Sequence, residues 1–141
     1  MTGLETAEML VEGNNKVSIV EMADTLAPGT WFQHLDDVVP KLDAKGTEYI
    51  LSHKLNSIDV KGIVIEPVKL DKNRKPVSQG KPYHVDADAV VLSLGARSVN
   101  TLAKELEGKV QNLFVIGDAK KVGRIADATR EAYDVAIHTI K

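Results

Sequence analysis

Short β-branched runs alternate along this chain with segments of helical period, and an alternation of that kind leaves few folds open. Residues Gly3–Glu12 set Leu4, Ala7, Leu10 and Val11 on one helical stripe, which Gly13, Asn14 and Asn15 then stop. Lys16–Glu21 carries Val17 and Ile19 in alternation and reads as a strand. After the break at Pro28-Gly29, Trp31, Leu35, Val38, Val39 and Leu42 predict an amphipathic helix ending near Gly46, with Pro40 placed to kink or divide it. From Thr47 to Leu70 the pattern predicts an antiparallel meander of Tyr49–Leu51, Leu55–Val60 and Ile63–Leu70, with a hairpin turn at Lys61-Gly62. Asp71–Lys81, rich in charge, Gly, Pro, Asn and Ser, reads as an exposed loop. Ala87–Leu94 and Leu113–Ile116 are apolar enough for buried parallel strands, and Thr101–Leu106 suits a short helix. Arg124–Ile140 predicts a closing helix with Ile125, Ala128, Ala132, Ala136 and Ile140 inward. The sequence shows no internal repeat and no low-complexity tract.

The expectation is a layered α/β fold whose ligands sit at the carboxyl ends of parallel strands. With 141 residues, 43% hydrophobic and 27% charged, the chain has the composition of an ordinary soluble domain with one core. A net charge of -2 with mixed signs gives no electrostatic reason for nucleic acid or an anionic membrane as partner. Without cysteine, disulfides, thiolate metal sites and a redox-active dithiol are excluded within these residues, so any redox chemistry must come from a bound cofactor. No apolar run approaches the roughly 20 residues of a membrane helix, and the polar start lacks the regions of a signal peptide, so the expected location is the cytoplasm.

Three places suit chemistry. The first is Gly3–Glu8 with Glu21 at the end of the next strand. A helix N-terminus offers free N–H groups and a dipole to a pyrophosphate, and an acid about 20 residues into a dinucleotide fingerprint grips ribose hydroxyls. The same residues also fit a surface helix followed by a strand with an exposed Glu. The second is the exit of Leu92–Leu94 into Gly95, Ala96 and Arg97, where glycine permits close approach to a flat ligand. Local chemistry favours a plain strand-to-loop exit with a solvated Arg97. The third is Leu113–Ala119 followed by a helix starting near Arg124, where the Asp118 carboxylate can accept hydrogen bonds from polyol hydroxyls or cap the next turn. His34, His53, His84 and His138 have no ligand spacing, Asp36-Asp37 reads as the wet face of a helix, no Ser-His-Asp order emerges, and Trp31 suits packing on the sheet.

Taken in order, Gly3–Glu8, Val20-Glu21-Met22, Leu94-Gly95-Ala96-Arg97 and Val115–Ala119 resemble the C-terminal region of the NADH:flavin oxidoreductase family, which includes 2,4-dienoyl-CoA reductase and the clostridial enoate reductases. The likeness spans nearly the whole chain. In that family a flavin-bearing barrel with an iron–sulfur cluster precedes a glutathione-reductase-like region, in which an NAD(P)H domain is inserted into an FAD domain. The resemblance implies a Rossmann-like dinucleotide-binding fold with an antiparallel β-meander, in which residues 1–95 are most of the NAD(P)H domain and residues 96–141 close the FAD domain. By the same resemblance Gly3 is the last glycine of the nicotinamide fingerprint and Glu21 the ribose ligand, an acid that favours NADH over NADPH. Gly95 lines the strand-end turn near the dinucleotide, and Asp118 binds the FAD ribityl chain with Gly117, Ala119, Arg124 and Ile125 close by. The implied chemistry is hydride transfer from NADH to FAD and on to an unsaturated, enoate- or dienoyl-CoA-like substrate.

The sequence departs from that family's pattern in lacking the barrel, the cluster cysteines, the first FAD strand with its glycine loop and the first NAD strand; FMN and the iron–sulfur cluster belong to those absent regions. A truncated piece of this kind is expected to bind NADH and FAD weakly, to be inactive alone, and to self-associate through an incomplete sheet. Two other readings remain open at this point: a non-catalytic Rossmann-like module binding a nucleotide or a protein, and part of a glutathione-reductase-like electron-transfer enzyme without a barrel.

Overall fold

A computed structural model describes residues 2–139 of the chain, which fall into two compact units dividing after Ser93. In the first unit, helix α1 (Thr2–Glu12) buries Leu4, Ala7 and Val11, a spacing of three and four residues that keeps them on one face. It stops where Asn14 takes a left-handed φ of 62° and the Asn15 side-chain amide donates to the Leu10 carbonyl at 2.9 Å. Strand β1 (Ser18–Val20) follows, then helix α2 (Phe32–Ala44) and strand β2 (Glu48–Ile50), which runs parallel to β1 in the register Ser18↔Glu48, Ile19↔Tyr49, Val20↔Ile50.

This β1–α2–β2 crossover corrects the expected meander, because residues 48–50 pair with the strand before the helix and not with the strands after it. Parallel pairing needs a crossover of a dozen residues or so, and α2 supplies it. Helix α2 is continuous through Pro40, neither divided nor ended there. Its Val38 and Leu42, fully buried, meet Leu4, Ala7 and Val11 of α1, with Val17, Ile19, Leu35 and Tyr49 packed around them. Lys41 donates to Glu8 at 2.7 Å and to Asp37 at 3.0 Å, tying the wet edges of the two helices and pushing the lysine pKa up to about 12.

The second sheet is antiparallel. Strand β3 (His53–Asp59) pairs with β4 (Gly62–Leu70), and β4 pairs in turn with β5 (Pro76–Ser78) and β6 (Tyr83–Asp86). The β3–β4 turn falls at Val60-Lys61, one residue earlier than expected, and Asp59 fixes it by accepting the Lys61 N–H at 2.7 Å. Gly62 opens β4 at φ 151°, and a Cβ there would collide with the Val85 carbonyl oxygen, so β6 passes too close for any side chain. Strand β5 lies inside the segment expected to be a loop. Asp71 builds the hairpin by accepting the N–H groups of Asn73 and Lys75, both at 2.8 Å. On this sheet Ile63, Ile65 and Val68 are buried.

Two expected buried strands are absent. Ala87–Leu94 is assigned to no strand, with Val91 60% and Leu92 57% exposed; Leu113–Ile116 likewise has no strand partner. An apolar run becomes a buried strand only with neighbours on its edges, and among the described residues neither segment has one. The second unit instead holds α3 (Thr101–Leu106, as expected), a 3-10 turn at Gly117–Ala119, and α4 (Ile125–Asp134) with a final π turn over Val135–Thr139. The inward stripe expected on α4 does not form. Ile125 is 89% exposed, Ala132 and Ala136 are exposed, and Ala128 is half-buried; Ile140 lies outside the described residues. Among the described residues no helix is long and apolar enough to cross a membrane, and no cluster of His, Asp or Glu could hold a metal ion.

Candidate functional site

In the first unit the head of α1 is the candidate nicotinamide-nucleotide site. A Cβ on Gly3 would stand 3.2 Å from both the Cβ and Oγ of Ser93, so the segment after β6 runs past the first turn of the helix at a distance only glycine allows without adjustment. Glu21 follows β1 directly. Its N–H donates to the Ile50 carbonyl at 3.1 Å and its carbonyl accepts the His53 N–H at 3.0 Å, so the backbone beneath the side chain is held on both sides. One carboxylate oxygen, Oε1, accepts the N–H of buried Ala23 at 3.0 Å; among the described residues Oε2 takes no hydrogen bond. The arrangement therefore presents a backbone-fixed carboxylate with one oxygen turned to a local N–H and acceptor capacity left over, which suits hydroxyl groups. His34 of α2 reaches to 3.8 Å from Glu5 in the first turn of α1, linking the N-terminal ends of the two helices.

In the second unit the candidate flavin site is the 3-10 turn and the start of α4. Gly95 has φ 84° with no protein atom within 4 Å of its Cβ position, so within the chain its glycine serves the left-handed backbone. Gly117 needs glycine on both counts: φ is 57°, and a Cβ would meet the Ala128 Cβ at 3.3 Å. Asp118 is exposed and accepts the Gly123 N–H at 3.2 Å through Oδ1, closing the loop that leads to α4. Ala119 completes the turn, exposed, and Arg124 is the N-cap residue of α4, its backbone N–H donating to the Asp127 carboxylate at 2.9 Å. The structure thus groups Gly117, Asp118, Ala119 and Arg124 at one turn. Ile125 stands at the head of the same helix with its side chain in solvent. Gly3 and Glu21 belong to the first unit, Gly95 and the turn to the second.

Glu131 is the group that no sequence motif marks. From the second turn of α4 its Oε2 accepts the Gly117 N–H at 2.7 Å and its Oε1 accepts Lys120 Nζ at 3.1 Å. The Gly117 N–H, and after it Lys120, hold its carboxyl below the usual glutamate range. A small residue and an acid three apart on one helix face, Ala128 and Glu131, are the signal that could have found it, since that face is the one turned to the glycine. Beside this contact lies a cavity of about 320 Å³, with Leu113, Phe114, Val115 and Ile116 on its wall and Lys120 and Glu131 at its edge. The remaining described histidines have structural partners: His53 contacts Tyr83 at 3.1 Å, His84 sits 3.3 Å from Asp59, and the His138 ring meets that of Tyr133 edge-on at 6.3 Å.

Chemically, each site holds a glycine and a carboxylate with acceptor capacity, an arrangement able to accept hydrogen bonds from hydroxyl groups. That acceptor set fits the ribose of a nicotinamide nucleotide and the ribityl chain of a flavin. No model of a protein family matches the chain. Among curated proteins it is 32% identical over 143 aligned residues to a metal reductase of Desulforamulus reducens, covering 96% of this chain and 19% of that protein. It is 33% identical to a cinnamate reductase of Clostridium sporogenes and 31% identical to an NADH oxidase of Thermoanaerobacter brockii, again over 96% of this chain and 19% and 20% of theirs. The chain therefore spans about a fifth of the length of the curated relatives it matches. Among solved structures, 2-naphthoyl-CoA reductase shares the fold at TM-score 0.71 and 19% identity, over 98% of this chain and 20% of that one. Histamine dehydrogenase from Rhizobium shares it at TM-score 0.71 and 20% identity, over 99% and 22%. The amine oxidase acting on 6-hydroxypseudooxynicotine from Pseudomonas geniculata does so at 0.73 and 25%, over 96% and 20%. Sequence relatives that are reductases and an oxidase, together with a shared fold over almost every residue, agree with the motif resemblance: the chain corresponds to a C-terminal region of flavin oxidoreductases and spans about a fifth of the length of these relatives.

Proposed function

We propose that the chain is the dinucleotide-binding portion of a flavin-dependent oxidoreductase, a Rossmann-like region of the glutathione-reductase type in which residues 1–95 take NADH and residues 96–141 complete an FAD site. When bound, the two cofactors supply the redox chemistry, hydride passing from NADH to FAD and on to an unsaturated acceptor of the enoate or dienoyl-CoA class. The residues of this chain bind and orient. Glu21 accepts the ribose hydroxyls, and its charge repels a 2′-phosphate, favouring NADH. Gly3 admits the segment at Ser93 beside the head of α1, whose free N–H groups suit a pyrophosphate. Asp118 accepts ribityl hydroxyls, with Gly95, Gly117, Ala119, Arg124 and Ile125 forming the surrounding turns. The relation to a cinnamate reductase supports an unsaturated acceptor, and the relation to an NADH oxidase supports the nicotinamide donor.

The observation that carries this reading is the placement of Glu21: a carboxylate with spare acceptor capacity at the carboxyl end of a parallel strand, one element after a helix whose first turn is closed in on by a neighbouring segment at Gly3. By itself the chain is expected to bind weakly, so the test uses saturation-transfer NMR at millimolar ligand. NADH should give a response, NADPH a weaker one, and Glu21→Ala should erase the difference. A response to neither nucleotide, a preference for NADPH, or an unchanged preference in the variant overturns the assignment.

A further inference from the structure

Asp118 follows a glycine, and that is a mechanical problem. Glycine at φ 57° has more backbone freedom than any other residue, so the turn that aims the Asp118 carboxylate has no conformational preference of its own at its first position. The structure removes that freedom from both sides of Gly117. Its carbonyl accepts the N–H groups of Lys120 and Lys121, each at 2.9 Å, which is the turn's own closure. Its N–H donates to Glu131 Oε2 at 2.7 Å, a contact 14 residues away on α4. The second Glu131 oxygen meets Lys120 Nζ at 3.1 Å, so the one carboxylate holds both the first residue of the turn and the residue just past its end. Asp118 sits between these two anchor points: Glu131 holds the turn from which its side chain projects, and the Gly123 N–H holds its Oδ1.

We propose that Glu131 is a positioning residue for flavin binding: by accepting the Gly117 N–H from the neighbouring helix, it fixes the turn that presents the Asp118 carboxylate to the flavin's polyol. This rests on the reading of Asp118 as the flavin contact, and Glu131 touches no flavin atom itself. The charged groups around Glu131 are Lys120 from the loop, which favours its ionised form, and Asp127 on its own helix, which opposes it; Asp134 lines the adjoining cavity. Because the carboxyl is held below the usual glutamate range, the latch is fully formed above that range. It is lost only as pH falls through the lowered value.

Two measurements on the full chain test this. In amide NMR spectra the Gly117 N–H should be protected from exchange and should follow the Glu131 titration at low pH. Glu131→Ala should abolish both effects, and Glu131→Gln, which keeps an acceptor, should retain the protection and lose the titration. In flavin titrations to millimolar FAD, read by flavin fluorescence, Asp118→Ala should remove binding, and Glu131→Ala should weaken it by about tenfold while Glu131→Gln stays within about threefold of the unmodified chain. Should Asp118→Ala leave flavin binding unchanged, the flavin site itself is misassigned. Should Asp118→Ala remove binding while Glu131→Ala does not weaken it, or should Glu131→Gln fail as badly as Glu131→Ala, the positioning role is overturned and the flavin site stands.

Discussion

At Gly117 two independent demands meet, a left-handed φ and a 3.3 Å approach to Ala128, and either alone would penalise a side chain. Gly117→Ala should therefore destabilise the second unit by about 1–2 kcal/mol through the backbone alone, with more from the contact. Chemical denaturation followed by amide signals of α4 reads this; pairing the variant with Ala128→Gly should recover the contact share and leave the backbone share, whereas full recovery would mean that φ is not strained. Residues of this kind are legible in the sequence because glycine and aspartate at a strand exit announce a turn. Their partners are not. Ala128 and Glu131 share a face in the run Arg124–Ile140, but that does not say the face meets Gly117, since a side-chain contact 14 residues away depends on how the helix is rotated. The same holds for Ser93 beside Gly3, a contact between opposite ends of the first unit.

Among the elements, α2 shows how packing overrides propensity. Pro40 lies inside the helix, exposed, where it removes one N–H and forces the Asp36 carbonyl to go without its usual donor, yet the buried contacts of Val38 and Leu42 on either side keep the helix continuous. Pro40→Ala should restore that hydrogen bond without opening a cavity and stabilise the first unit by about 1–3 kcal/mol, measured as a higher urea midpoint with unchanged slope. No gain, or a loss, would show that proline's stiffening of the unfolded chain outweighs the missing bond. Helices α1 and α2, strand β1 and the β3–β4 hairpin are readable because their periodicity is local. Strand β2 misleads because its partner precedes it across a helix, so a run such as Glu48–Ile50 looks the same whether it pairs forward or back. Strands β5 and β6 escape notice because they are mostly exposed and polar, and their pairing is set by Asp71 and Gly62, turn-forming residues and not an apolar pattern.

Across the whole chain, burial is distributed unevenly. The first unit has a core of its own in α1 and α2, while from Leu94 onward no described residue is buried, and Leu94, Val99, Leu102, Ile125 and Ile137 are each more than half exposed. Isolated apolar residues on a surface are ordinary, but a unit in which none is covered has exchanged little surface for its ordering entropy. Residues 89–93 and 112–116 belong to no helix or strand, so their backbone groups add hydrogen-bonding capacity to that apolar surface. Both features favour covering by another polypeptide, and in a purified sample of this chain the available one is a second copy. Sedimentation velocity should then show association that grows with concentration through the micromolar range. Leu94→Asp with Ile125→Asp should shift the distribution toward monomer without lowering the helix content of α1 and α2, because both substitutions fall outside that core. A single monomeric species at every concentration would mean that the second unit satisfies itself in solution, and that its apolar residues are tolerated as surface.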